Sequence, residues 1–255
     1  MPTYRVDLAY DGSRFHGYAI QPGLRTVQGD LEAVLFHHTG GATTHVAGRT
    51  DKGVHATDQV VSFSCDTLDV ARVVRSVNRQ LAPEIAVRRI TEVADDFHAR
   101  FSATGRAYRY RIQNSGIHDP FESSVTWTFA PQLDVELMDE VAQVLVGEHD
   151  FAAFCRSYED VATTRYLDWA AWRRNEDIVE LSIGGSSFCH QLVRSVVAMC
   201  VEIGRGRVAP DEMQIVLESK DRTIAKGAAP PQGLTLVAVA YGEPLPRPSW
   251  IPDTE

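Results

Sequence analysis

Ala47-Gly48-Arg49-Thr50-Asp51-Lys52-Gly53-Val54-His55-Ala56 is the stretch on which the reading of this chain turns. Gly48 and Gly53 bracket a guanidinium, a hydroxyl and a carboxylate, and glycine permits a tight turn or a close backbone approach at either end. Taken alone, the run reads as a polar turn with an Asx-type cap. Its surroundings make it more specific. A short strand over residues 44–47 leads in and an apolar run over residues 59–65 leads out, so the loop joins two strands. Further out on the N-terminal side, Tyr4, Val6, Leu8 and Tyr10 alternate with Arg5, Asp7 and Ala9, the period of a half-buried strand. Thr26 can then cap a helix in which Val27, Leu31, Val34 and Leu35 form one stripe, stopped by Gly40-Gly41. On the C-terminal side Asp69 caps a helix carrying Val70, Val73, Val74, Val77 and Leu81, Pro83 ends it, and residues 85–90 make another strand. The order β-α-β-β-α-β is that of a split βαβ, or ferredoxin-like, unit.

The second half repeats the theme. A strand over residues 106–112 precedes a helix with Leu137, Val141, Val144 and Leu145. Residues 164–172 and 178–183 read as a strand pair joined at Asn175-Glu176; a helix over residues 188–203, a short helix after Pro210 and a last strand over 235–241 follow. The expected fold is α+β, two ferredoxin-like βαββαβ units: residues 1–102 with the loop aspartate, and residues 103–255 with the helix that carries Arg194. The tail from Glu243, with Pro244, Pro246 and Pro248, should be extended.

Composition bounds the rest. The 255 residues are 44% hydrophobic and 23% charged, which excludes disorder, collagen-like repeats and coiled coil as the main theme. No stretch free of Asp, Glu, Lys and Arg is longer than residues 227–242, which is short and holds two prolines, so no transmembrane helix is expected. The N-terminus enters a strand pattern with no signal-peptide character. Cys65, Cys155, Cys189 and Cys200 form no CxxC pair, and four buried thiols are expected rather than a zinc site or a disulfide framework. A net charge of −9 argues mildly against nucleic acid, but charge is local: of 25 basic residues three are lysine and the other 22 arginine, and the window from Arg88 to Arg111 holds six arginines against Glu92, Asp95 and Asp96, a local +3.

The loop phrase Ala-Gly-Arg-Thr-Asp-x-Gly-Val-His-Ala resembles the catalytic loop of the TruA family of tRNA pseudouridine synthases. Four further blocks carry the resemblance in order: Tyr10-Asp11-Gly12 with Thr26-Val27-Gln28-Gly29; Phe97-His98-Ala99-Arg100-Phe101-Ser102-Ala103-Thr104 followed by Tyr108-Arg109-Tyr110; Phe188-Cys189-His190-Gln191-Leu192-Val193-Arg194; and Gly233-Leu234 with the last strand. They span nearly the whole chain. The resemblance implies the pseudouridine synthase fold with an RNA-binding cleft between the two units, a cytoplasmic homodimer, and isomerisation of uridine at tRNA positions 38, 39 and 40 without metal or cofactor. It places Asp51 as the catalytic residue and Tyr108 near the target base. Arg49 would fill the space left by the extruded base, and Arg194 would pair with the carboxylate. His55 and Arg109 stand in the matched blocks as further substrate-binding candidates. Two positions depart from the family pattern: Gly17-Tyr18 where tryptophan usually follows the glycine, and Lys52 where the loop usually carries a small residue.

The residue types suit this chemistry. Breaking the N1–C1′ bond, turning the uracil and joining C5 to C1′ require the base to leave its stack. A carboxylate can serve as nucleophile at C1′ or C6, or as base at C2′, and all three routes stay open. Arg194 sits where Val193, Val196, Val197, Met199 and Val201 make a helix apolar nearly all round, so its guanidinium should either be paired or reach out from the first turn. Tyr108 can also be read as a core aromatic of a strand. His55, His98 and His190 lack the i, i+4 spacing of helical metal ligands, which leaves hydrogen-bonding or RNA-facing roles. Two competing functions are a catalytically silent RNA-binding module and an enzyme for another RNA.

Overall fold

The computed structural model describes residues 1–156 and 162–252, which divide into two units: Met1–Thr104 with Thr235–Glu243, and Gly105–Leu234 with Pro244–Glu255. In the first unit β1 (Thr3–Tyr10), α1 (Val27–Thr39), β2 (His45–Val46), β3 (His55–Ser64), α2 (Val70–Gln80) and β4 (Ile85–Val93) follow in that order. The strands lie β4-β1-β3 with β2 on the far side of β3, every neighbour antiparallel, so each helix carries the chain over one intervening strand. Local signals set these elements. Thr26 Oγ1 accepts the Gly29 N–H at 3.2 Å to start α1, and Gly40, with φ 72°, ends it in the left-handed conformation. Asp69 Oδ1 accepts the Arg72 N–H at 3.0 Å to start α2. Leu31 and Leu35 of α1 and Val73 and Val77 of α2 are buried, as are Val6, Leu8, Val61, Phe63, Ile85 and Val87 of the sheet.

The second unit holds β5 (Gly105–Gln113), β6 (Trp127–Thr128), α3 (Val135–Gln143), β7 (Gly147–Asp150), β8 (Thr164–Asn175), β9 (Ile178–Gly185), α4 (Leu192–Gly204) and α5 (Glu212–Ser219). Its strands run β5-β9-β8-β7 antiparallel, with β6 parallel to β5. α4 is buried along almost its whole length, only Arg194 and Glu202 escaping. It begins later than expected. Gln191 has φ 68°, a left-handed residue that separates the Phe188-Cys189-His190 segment from the helix. β6 and β7 were not foreseen.

The chain then returns. In β10 (Leu234–Ala240), Thr235 and Leu236 pair in parallel with His55 and Ala56 of β3. The tail holds no helix or strand as far as residue 252; the Arg247 guanidinium lies over the Trp169 ring and the Arg173 guanidinium over the Trp250 ring, while residues 253–255 fall outside the described part. No helix among the described residues is long and apolar enough to cross a membrane.

The expectation of four buried thiols is not met. Cys65 and Cys200 are free and buried, but Cys155 and Cys189 are joined as a disulfide, with Cα atoms 5.7 Å apart across 34 residues. Sequence spacing gave no hint because the strand pair β8–β9 brings the two together.

Candidate active site

The loop at residues 47–54 is held from below by groups that the motif does not contain. Gln59, fully buried on β3, acts as a surrogate strand: its amide Nε2 donates to Gly48 O at 2.8 Å and to Tyr10 Oη at 3.1 Å, and its Oε1 accepts the Gly48 N–H at 3.4 Å. Tyr10 Oη and Thr50 Oγ1 are 2.8 Å apart, both residues buried. The Tyr18 N–H donates to Thr50 O at 3.0 Å, while the Tyr18 ring packs against Tyr10 with centroids 6.1 Å apart. Tyr18 is fully buried, and burial pushes its phenol well above the usual tyrosine range. The departure at this position therefore lies in the floor beneath the loop.

Backbone approach completes the cradle. A Cβ on Gly12 would lie 2.0 Å from Val54 O, and one on Gly17, with φ 99°, would lie 3.0 Å from Thr50 O. Only glycine lets these two segments close on the loop. Inside it, the Val54 N–H donates to Asp51 O at 3.1 Å and Gly53 takes φ 79°, so residues 51–54 form a tight turn. Asp51 emerges half-buried on this turn, with Arg49 and Lys52 exposed on either side. His55 lies beneath, 4% exposed; its Nδ1 accepts the Gly12 N–H at 3.1 Å and stands 3.1 Å from Asp11 Oδ1. It ties the Asp11-Gly12 segment to the strand that leaves the loop.

Gln59 is the clearest residue that pattern reading passed over. The one available signal was an amide immediately before the apolar run Val60-Val61. Gln59→Leu keeps the volume but leaves Gly48 O without its donor, and a buried polar group stripped of its partner costs about 1–3 kcal/mol. We expect a lowered Tm in calorimetry and a fall in kcat larger than any change in KM, because the loop loses its register. Equal kcat in Gln59→Leu and the parent would show that the loop holds its shape without the amide.

In the second unit Tyr108 projects from β5, 8% exposed, its ring edge-on to Phe188 with centroids 4.9 Å apart. Arg109, its neighbour on the strand, points to the opposite face by the pleat. There its Nε lies 3.9 Å from Glu180, a carboxylate held more closely by Arg173 at 2.8 Å. Arg194 occupies the first turn of α4. Its Nε donates to Ala229 O at 2.6 Å and its carbonyl accepts the Ala229 N–H at 2.9 Å, which fixes the start of the side chain. The Cys155–Cys189 disulfide, the Arg156 N–H to His190 O bond at 2.8 Å and the Arg222 Nη2 to Gln191 Oε1 bond at 2.7 Å anchor the segment between Phe188 and α4. Asp51, Arg49 and His55 thus belong to the first unit, and Tyr108, Arg109 and Arg194 to the second.

The arginine-rich window is less positive than its sequence suggests. Arg88 pairs with Asp58 at 2.7 Å, Arg89 with Asp7 at 2.8 Å and Arg111 with Glu122 at 2.6 Å. All three carboxylates lie outside the window, so their charge was not counted in it.

A curated tRNA pseudouridine synthase A of Leifsonia xyli subsp. xyli is 38% identical over 262 residues, spanning 93% of this chain and 91% of its own length. The chain belongs to the tRNA pseudouridine synthase A family. Relatives of the same name from Limosilactobacillus fermentum, 39% identical over 96% of this chain and 98% of theirs, and from Hyphomonas neptunium, 40% identical over 94% and 99%, agree. A family profile described as tRNA pseudouridine synthase matches residues 141–242. Membership in the tRNA pseudouridine synthase A family places the chain among the isomerases that act on tRNA, on an α+β pseudouridine synthase fold.

Proposed function

We propose that this enzyme isomerises uridine to pseudouridine at positions 38, 39 and 40 of the tRNA anticodon stem-loop, without a cofactor, through Asp51 acting on a flipped-out base. The observation that carries the reading is the cradle around residues 47–54. A buried amide, two tyrosines and two close-approach glycines are spent on presenting one half-buried carboxylate. A module that only bound RNA would gain nothing by holding a carboxylate toward a polyanion. The reaction balances within the substrate: the N1–C1′ bond breaks, the C5–C1′ bond forms, the C5 proton leaves and N1 gains one. Water has to be kept from C1′, and a carboxylate in a fixed turn does not need to activate any. Asp51 takes the role of nucleophile or base. Tyr108 is assigned to the target base, Arg194 to keeping the carboxylate ionised, and Arg49 to the gap in the stack. His55 acts beneath the loop through Gly12, and Arg109 through the opposite face of β5, where it would meet RNA backbone. A homodimer working in the cytoplasm completes the reading on family resemblance.

Incubating the protein with unmodified tRNA and mapping pseudouridine by carbodiimide treatment and primer extension tests it. Stops at positions 38–40 are expected; an unmodified transcript would overturn the assignment. Because the chain is acidic overall, with net charge −9, RNA affinity must come from local arginines and release of counterions. Affinity for tRNA is expected to fall about 10²-fold or more between roughly 50 and 200 mM salt. A flat salt dependence in filter binding would contradict phosphate-held RNA.

A further inference from the structure

We propose that His45, His98 and Phe101 form a second base-stacking site on the first unit, which takes an unpaired nucleobase of the RNA apart from the target uridine. The inference rests on the tRNA-acting reading above. The His98 ring lies between the other two, with centroids 4.6 Å from His45 and 4.4 Å from Phe101 and interplanar angles of 32° and 36°. Phe101 is 76% exposed and His45 is exposed as well, so both ends of the ladder face solvent. The Arg100 guanidinium lies over the Phe101 ring, 5.5 Å from its centroid, and brings a positive charge to the rings for a nucleotide's phosphate.

The ladder is rigidly mounted, which separates it from an incidental exposed aromatic. His98 Nδ1 accepts the N–H groups of Arg100 at 3.1 Å and Phe101 at 3.3 Å, so the ring is neutral with its proton on Nε2. Burial, His45 and Arg100 all hold its pKa below the usual histidine range, in keeping with that form. The His98 N–H donates to Ser102 Oγ at 3.0 Å and the Ser102 N–H returns to His98 O at 2.9 Å. Ala99, fully buried, is fixed on both sides: its N–H donates to Ser62 Oγ at 3.0 Å and its carbonyl accepts Tyr241 Oη at 2.8 Å. His45 begins β2, the strand that runs directly into Ala47 and the Asp51 loop. β2 pairs with β3, the strand that leaves the Asp51 loop, so the platform and the carboxylate belong to one unit and the RNA that reaches Asp51 is the occupant at hand. Flat rings with a guanidinium beside them suit the π-face of any base and carry little sequence preference.

Full-length variants at Phe101 test this. Phe101→Leu keeps apolar volume without a π-face, so a packing role would tolerate it and a stacking role would not. Phe101→Ala and Phe101→Leu are both expected to raise KM for tRNA about tenfold, the order of one lost base stack, and Phe101→Trp to restore it. The indole of Phe101→Trp should also lose fluorescence on adding unmodified tRNA, beyond the response of the parent's four tryptophans. An unchanged KM in Phe101→Leu, or an unquenched indole, would overturn the platform. So would a changed oligomeric mass in Phe101→Ala by light scattering, since the rings would then meet a second copy. Absent turnover by the parent would strike the functional reading itself, whereas the quench needs no turnover and still decides the stacking site.

Discussion

Asp51→Asn is expected to abolish pseudouridine formation, by about 10³-fold or more in single-turnover rate, the scale lost when a group acting at the reacting bond is removed. tRNA binding should change by no more than a few-fold. The amide has the size of the carboxylate, and the turn that presents it is closed by the backbone bond from the Val54 N–H to the residue 51 carbonyl, which the substitution leaves intact. What the amide lacks is nucleophilic and basic strength. Thr50, Gln59 and Tyr10 would hold the loop unchanged, so a normal melting temperature should accompany the lost activity. Turnover within tenfold of the parent would remove Asp51 from the chemistry and leave the cradle without an explanation.

Arg49→Ala should separate extrusion of the base from the chemical step. Arg49 is exposed, two residues before Asp51 on the same fixed loop, while Gly48 beside it is clamped by Gln59. If its guanidinium fills the vacated place in the stack, the variant has to hold the base out unaided, and unstacking costs a few kcal/mol. That corresponds to a loss of about 10²-fold on a stacked stem uridine. An RNA whose target is already unpaired should lose much less. Asp51→Asn should be equally inactive on both. Single-turnover rates for the two variants on stem and loop uridines give the comparison, and an equal loss for Arg49→Ala on both would assign it to chemistry or phosphate binding.

Local signals were easy to read in this chain because their physics is local. Thr26 and Asp69 cap α1 and α2 through their own side chains, Gly40 ends α1 by taking a positive φ, and β1 shows the alternation of a sheet with one covered face. Asp51 and Arg49 were legible for a similar reason: the loop's chemistry is written in consecutive residues. The start of α4 was misplaced because Phe188-Cys189-His190 is apolar enough to continue a helical pattern, and the left-handed Gln191 that breaks it carries no glycine to announce it. β7, with sequence Gly147-Glu148-His149-Asp150, lacks any apolar alternation; it is a strand only because it pairs with β8 at the sheet's edge.

The sequence alone determined the order of helices and longer strands, the family, and the identity of the loop that presents Asp51. These follow from caps, periodicities and contiguous motifs, whose energies involve residues within a few positions of one another. Tertiary structure decided the rest. It placed Gln59 beneath Gly48, brought Gly12 and Gly17 against the loop, and returned β10 to pair with His55 and Ala56 from 180 residues away in the chain. It joined Cys155 to Cys189, paired three arginines of a window that looked positive, and packed the His45 ring against His98. Each of these depends on which distant segments the sheet brings into contact, and a hydrogen bond, an ion pair or a ring stack has no signature in sequence until both of its partners have been placed.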